Sequence, residues 1–273
     1  MKKIIGLMQG RLTKIQNNRI QQFPFKNWIN ELKILNEIGI NKIEWLIDEN
    51  YKDNPILNKN NHNEIIKQKK KYKIDIVSIC CDNFMFNSFF DDKFSFNKLK
   101  QLINNCNKLG IKQLDIPLLG KNSIKKRIKK DYLIKNLNKF YPLLKKKDVT
   151  LTFETDLNYK QTLAFISKLK SKDNYGITYD TGNSTFFGYD FKKEINTFGE
   201  YIKTVHIKDC TKKDYSVPLG KGNTKFNGIL KLLKKKNYIG NFIFQTARKS
   251  TNDTREIKGY LKFFQNKLNR YYI

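Results

Sequence analysis

Eight short runs rich in β-branched and aromatic residues recur along the chain at intervals of about 26 to 39 residues, and a helical pattern follows each. The runs are residues 3–9, 42–47, 75–81, 113–118, 149–155, 175–181, 204–209 and 241–247. Strands that alternate with helices in this way form a parallel sheet, because parallel neighbours need a long crossover connection. Eight such units predict a closed (β/α)8 barrel of the α/β class rather than an open dinucleotide-binding sheet. The latter would carry G-x-G-x-x-G after its first strand, and Gly6-Leu7-Met8-Gln9-Gly10-Arg11 does not supply it. The 273 residues match one barrel, typically about 250 long. No Pro-, Gly- or Ser-rich linker divides them, so residues 1–273 read as one domain.

Local patterns agree. Trp28, Leu32, Leu35 and Ile38 share one helical face and Gly39 supplies a stop. The phrase around Leu35 to Ile40 returns as Cys106 to Ile111, again leading into a strand. Asp48 to Pro55, after the second strand, reads as a mobile loop over the barrel mouth. The 39% hydrophobic content, with 20 Phe and 14 Tyr, suffices for a core and argues against disorder. No apolar run approaches the ~18 residues of a membrane span, and Arg11 interrupts the N-terminal one, so a cytoplasmic location is expected. Cys80, Cys81, Cys106 and Cys210 show no C-x-x-C spacing and are expected to be free thiols.

The formal charge of +29 has little specificity. Nucleic-acid binding gathers cations on one face with aromatic side chains for stacking, whereas here lysines run the length of the chain, as at Lys125-Lys126-Arg127, Lys145-Lys146-Lys147 and Lys234-Lys235-Lys236. A nucleic-acid partner is therefore not expected, although such a field draws in small anions.

In a barrel of this kind chemistry sits at the C-terminal strand ends. Glu154, Asp180, His206 and Gln245 close strands five to eight, and strand two adds Glu44. Period-2 alternation puts Thr150, Thr152 and Glu154 on one face, and likewise His206 with Lys208. Taken singly, a strand-end histidine is an ordinary core residue and a carboxylate beside a turn is an ordinary cap. Four donors at matching depth on consecutive strands point instead to a divalent ion. Two carboxylates, an imidazole and an amide oxygen suit Mn²⁺, Mg²⁺ or Co²⁺, with Zn²⁺ a further option. The other histidine, His62, lies in a polar run and is expected at the surface. Glu44 either positions substrate or forms a salt bridge in the mouth. Gly220, Lys221 and Gly222, with Arg248 beyond strand eight, occupy the two loops where barrels often bind phosphate, unless the glycines serve turn geometry alone.

The whole chain resembles the xylose isomerase-like TIM barrels, a family of sugar phosphate isomerases and epimerases. The resemblance is carried by Tyr179-Asp180-Thr181-Gly182-Asn183, Val205-His206-Ile207-Lys208-Asp209, Pro218-Leu219-Gly220-Lys221-Gly222-Asn223 and Phe242-Ile243-Phe244-Gln245-Thr246-Ala247-Arg248. It implies one divalent metal held by Glu154, Asp180, His206 and Gln245. It also implies proton abstraction next to a carbonyl through an enediolate, on a sugar or sugar phosphate. Glu154, Lys208 and Glu44 are the candidate catalytic residues, and Arg11, Asn183, Lys221 and Arg248 the candidate substrate contacts.

Gln245 stands where the family commonly has a second glutamate. An amide can ligate a metal but cannot act as a base. Isomerisation by Glu154 alone is then the simpler chemistry, and epimerisation would need another group, such as Glu44 or Lys208, on the second face. Alternatives are an inosose dehydratase-like enzyme acting on a polyol ketone, and a non-catalytic sugar-binding or scaffold barrel. An endonuclease IV-type enzyme would need more histidines than His206. The tail Tyr271-Tyr272-Ile273 could pack against a second copy in a homo-oligomer.

Overall fold

Alternate side chains of the eight strands enter two different environments, and this sorting positions everything else. The computed structural model describes residues 4–15, 21–90, 94–248 and 254–273. The strands are β1 (Ile5–Met8), β2 (Lys42–Leu46), β3 (Asp75–Cys80), β4 (Gln113–Leu118), β5 (Thr150–Thr155), β6 (Tyr175–Asp180), β7 (Ile202–Ile207) and β8 (Asn241–Phe244). All neighbours are parallel, and β8 pairs with β1 to close a single (β/α)8 barrel. The predicted runs overlap all eight, although the last ends three residues earlier than expected.

The helices are α1 (Trp28–Glu37), α2 (His62–Tyr72), α3 (Asn83–Phe86), α4 (Phe94–Leu109), α5 (Arg127–Lys147), α6 (Tyr159–Ile166), α7 (Thr181–Phe186), α8 (Phe191–Phe198), α9 (Phe226–Lys235) and α10 (Thr254–Tyr271). Outward-facing Leu7, Ile43, Trp45, Leu114, Ile116, Phe153, Val205 and Phe244 are fully buried in one continuous core beneath them. Trp28, Leu32 and Leu35 of α1 join it as the pattern predicts. Ile40 N–H reaches back to Leu35 O and Ile111 N–H to Cys106 O, with Gly39 and Gly110 at positive φ. The repeated phrase is thus a repeated helix stop. Lys73, Asp148 and Asn237 take the same left-handed position after α2, α5 and α9, without being glycine.

The inward face is more polar. Met8, Leu46, Cys80 and Ile243 form a small apolar cluster there. Around it Gln113 donates to Thr204 Oγ1 at 2.7 Å and to Thr152 Oγ1 at 3.1 Å, and Thr178 donates to Thr152 at 2.9 Å. These bonds satisfy groups that burial alone would penalise.

Two expectations need correction. His62 is buried, its Nε2 2.9 Å from Ile56 O, because the chain before α2 folds back over it. The segment after β2 is anchored: Asn54 is fully buried, accepts from Trp45 Nε1 at 2.9 Å and donates to Leu46 O at 2.9 Å. The C-terminal tail packs on its own barrel, with the Tyr272 ring 5.2 Å from Phe242, edge to face. Basic residues fall where the helix dipole favours cations: α2, α5 and α9 each end in lysines. All four cysteines are free and buried. Among the described residues no helix is long and apolar enough to cross a membrane.

Candidate functional site

Parallel register lifts the last inward side chain of each strand to one level at the C-terminal mouth. Asp180 pairs in register with His206, and Pro117 with Glu154. Glu154, Asp180 and His206 are all buried, and each offers one donor atom within 4.8 Å of the other two. His206 is gripped at both ring nitrogens: Nδ1 lies 3.3 Å from Glu154 Oε2, and Nε2 lies 2.8 Å from Glu44 Oε2. Glu44 is in turn held by Ser78, whose hydroxyl donates to Oε1 at 2.6 Å. Asp115, on β4, lies 4.0 Å from His206 Nε2.

Four carboxylates thus crowd one imidazole in a buried space. Burial would lower the His206 pKa, but Glu44 and Glu154 override it and hold the imidazolium well above the usual range. Burial raises Asp115 well above an ordinary carboxyl; His206 opposes this, while Glu154 and Glu44 add to it. Burial also raises Asp180, with Lys208 opposing. Such an excess of negative charge favours a bound cation.

The donor atoms fit that requirement. Asp180 Oδ2 and Gln245 Oε1 are buried without a hydrogen-bond partner, and His206 Nδ1 meets only the Glu154 carboxylate; buried polar atoms rarely stay unsatisfied. Asp180 uses its other oxygen to cap α7, accepting from Asn183 N–H at 2.7 Å. Gln245, just past β8, donates through Nε2 to Gln21 at 3.4 Å, which leaves its oxygen as the free end. Glu154, Asp180 and His206 thus offer three donors that one divalent ion could share, with Glu44 orienting the histidine from behind.

A cavity of about 230 Å³ opens above this cluster, lined by Arg11, Gln21, Asp82, Met85, Pro117, Leu119, Glu154, Lys208, Tyr215, Ser216 and Gln245. Lys208 crosses it: Nζ lies 3.0 Å from Asn183 Oδ1, 3.9 Å from Asp180 Oδ2 and 3.4 Å from the centre of the Tyr215 ring. Asn183 also donates to Glu154 Oε1 and so fixes both residues from the side. Arg11 reaches the cavity while donating to Thr246 O at 3.1 Å and Gln21 Oε1 at 3.0 Å.

Other expected site residues are placed elsewhere. Glu44 is fully buried behind His206 and is not among the cavity-lining residues, so its contact is the histidine rather than substrate. Lys221 is exposed and Arg248 turns away to the Gly10 and Thr13 carbonyls; neither lines the cavity. The glycine loop has a structural role. Asp209 accepts from the backbone N–H groups of Gly220 at 2.8 Å, Gly222 at 2.9 Å, Thr224 at 3.1 Å and Cys210 at 3.0 Å. Gly220 sits at φ +85°, and a Cβ on Gly222 would run into the Asp209 carboxylate. Turn geometry and close approach account for both glycines, and the amides that would hold a phosphate are already taken.

Sequence reasoning missed Asp82, Asp115, Gln21 and Tyr215. Asp82 follows β3 and was reachable by the strand-end rule. Asp115 lies mid-strand, where only the pleat points it inward. Gln21 and Tyr215 come from irregular loops that carry no period.

The model of the family described as xylose isomerase-like TIM barrel matches residues 32–267. Among curated protein sequences no significant match was found. Similar solved structures include the 3-keto-D-glucoside 4-epimerase YcjR from E. coli, at 15% identity and TM-score 0.71, covering 96% of this chain and 99% of that one. The IOLI protein with a bound zinc atom aligns at 16% identity and TM-score 0.73, covering 98% and 99%. D-psicose 3-epimerase from Clostridium cellulolyticum H10 aligns at 12% identity and TM-score 0.72, covering 97% and 99%. At these identities the likeness speaks for the fold; the family match spans most of the chain, which therefore belongs to the xylose isomerase-like TIM barrels.

Proposed function

We propose that the protein is a divalent-metal-dependent isomerase or epimerase that removes a proton next to the carbonyl of a small ketose. The observation that carries this reading is the convergence of Glu154, Asp180 and His206, whose donor atoms lie within 4.8 Å of one another, at a cavity that Glu154 and Gln245 both line. A divalent cation held by these residues supplies polarisation of the substrate carbonyl and its neighbouring hydroxyl. Glu154 is the base: one oxygen is fixed by Asn183 and the side chain faces the cavity. Lys208 is the cation placed to hold a substrate oxygen, oriented by Asn183 and Tyr215. The sugar-epimerase activities named for YcjR and the psicose enzyme agree with this reading.

A free sugar suits the site better than its phosphate. The cations lining the cavity are Arg11 and Lys208, both already engaged by protein groups, and the glycine-loop amides are bound to Asp209. The test is deuterium wash-in from D₂O into a panel of ketopentoses and ketohexoses and their phosphates, with Mn²⁺ or Mg²⁺ added. Exchange into free ketoses is expected, with loss of at least about 100-fold in Glu154→Gln for the ketose whose proton Glu154 removes, the scale of a general base. Undiminished exchange in that variant from every ketose and its epimer would remove Glu154 from the role.

A further inference from the structure

Gln245 cannot accept a proton, and Glu44 is shut away behind His206, so the second face of a substrate needs another acid–base group if the enzyme inverts a carbon. Asp82 meets that need. It follows β3 and lines the same cavity as Glu154, Lys208 and Gln245, while Glu154 enters from β5. Pro117 and Leu119, at and just beyond the end of β4, line the wall between them, so the two carboxyl groups enter the cavity from strands two apart in the barrel.

Asp82 is also held in a specific way. Its Oδ2 accepts from Gln21 Nε2 at 2.5 Å and its Oδ1 from Cys80 Sγ at 3.2 Å. Gln21 Oε1 accepts in turn from Arg11 and from Gln245 Nε2. The amide at 245 and the carboxyl at 82 are therefore the two ends of one hydrogen-bonded chain. A glutamate at 245 would set a second acceptor against Gln21 Oε1, so the amide there matches its partner. The groups facing Asp82 include Cys80 at the end of β3, Arg11 and Gln21 from the β1–α1 segment, Glu154 from β5, and Lys208 and Tyr215 across the cavity. Burial pushes the Asp82 carboxyl up to about 6; Cys80, Gln21 and Arg11 oppose the rise and Glu154 adds to it. Such a group exchanges protons readily near neutral pH.

Resting on the enolisation reading above, we infer that Asp82 is the second acid–base residue, acting on the substrate face opposite Glu154, and that the enzyme is an epimerase. Glu154 takes the proton from the carbon beside the carbonyl. The C–H electron pair becomes the new C=C bond and the carbonyl pair moves to oxygen, which gives an enediolate. Protonated Asp82 then delivers its proton to that carbon from the other side, as the enediolate pair forms the new C–H bond and the carbonyl returns. Glu154 ends protonated and Asp82 ionised, and proton exchange with water restores both. Nothing is oxidised or reduced, and the two residues swap roles in the reverse direction.

The test uses the full chain loaded with Mn²⁺, in D₂O, with a ketose that the wild type exchanges, started separately from each of the two epimers. For Asp82→Asn we expect interconversion to fall at least about 100-fold. Wash-in should persist from the epimer that Glu154 deprotonates and vanish from the other, and Glu154→Gln should give the mirror pattern. Asp82→Glu should recover measurable interconversion. Equal loss of wash-in from both epimers in Asp82→Asn, interconversion within threefold of wild type, or wild-type wash-in without any epimer would each overturn the assignment. A wild type that washes deuterium into no ketose would instead fell the enolisation reading, and the assignment with it.

Discussion

Removing the Asp209 carboxylate should unfasten the loop between β7 and α9, and the size of the effect can be worked from its contacts. Asp209 is almost fully buried and accepts four backbone N–H bonds between 2.8 and 3.1 Å. A hydrogen bond to a charged group contributes about 1.5–3 kcal/mol. The four are not additive, because they share two oxygens and three of the donors lie where water can reach them after truncation. Asp209→Ala should therefore destabilise by roughly 3–5 kcal/mol, or on the order of 10 °C in Tm. Asp209→Asn keeps one acceptor oxygen and should lose about half as much. Urea denaturation of the three proteins, checked by differential scanning calorimetry, measures this. A loss below about 1 kcal/mol in Asp209→Ala would refute the structural reading of the loop. Inorganic phosphate that stabilises the wild type in a Lys221-dependent way would also refute it, since it would show the loop amides free to bind an anion.

Glu44→Gln should weaken Mn²⁺ binding about 10- to 100-fold by isothermal titration, since Glu44 orients His206 from its Nε2 side; unchanged affinity would show that the histidine needs no such support. Glu31 beneath the β1–α1 turn is raised from 4.5 to about 7, by burial that outweighs the N–H bonds from Leu12 and Gly10. The folded chain then keeps this proton where the unfolded chain has lost it, so the contribution of Glu31 to stability is greatest below about 4.5 and falls until about pH 7, by about 3 kcal/mol. Urea midpoints across that range in wild type and Glu31→Gln should diverge by that amount, the variant declining less; parallel profiles would reject it. Lys73→Gly, which relieves a left-handed residue at φ 53° after α2, should raise stability by roughly 0.5–1 kcal/mol in the same assay, and a decrease would count against the helix-stop account.

What could be read in the sequence, and what could not, follows from which physical signals are periodic. The barrel was legible because eight runs alternate with helices and a parallel sheet admits few other arrangements. Glu154, Asp180 and His206 were legible as a group because the last inward residue of each parallel strand falls at one depth. Direction around the barrel carries no such period. Nothing in the spacing told that Glu44 would point at the rear nitrogen of His206 rather than into the cavity, since both positions are inward at the mouth. The glycine-rich loop misled for a related reason: amides that bind a phosphate and amides that bind an internal aspartate need the same glycines, and Asp209 sits only eleven residues before Gly220. Gln245 is the sharpest case. From the chain alone it reads as a loss, a base exchanged for an amide, and only the contact with Gln21 shows what an amide does there that a carboxylate does not. It leaves its oxygen without a hydrogen-bond partner and uses its N–H to anchor the residue that holds Asp82, so an amide that removes acid–base chemistry at one strand end is coupled to a buried carboxyl at another.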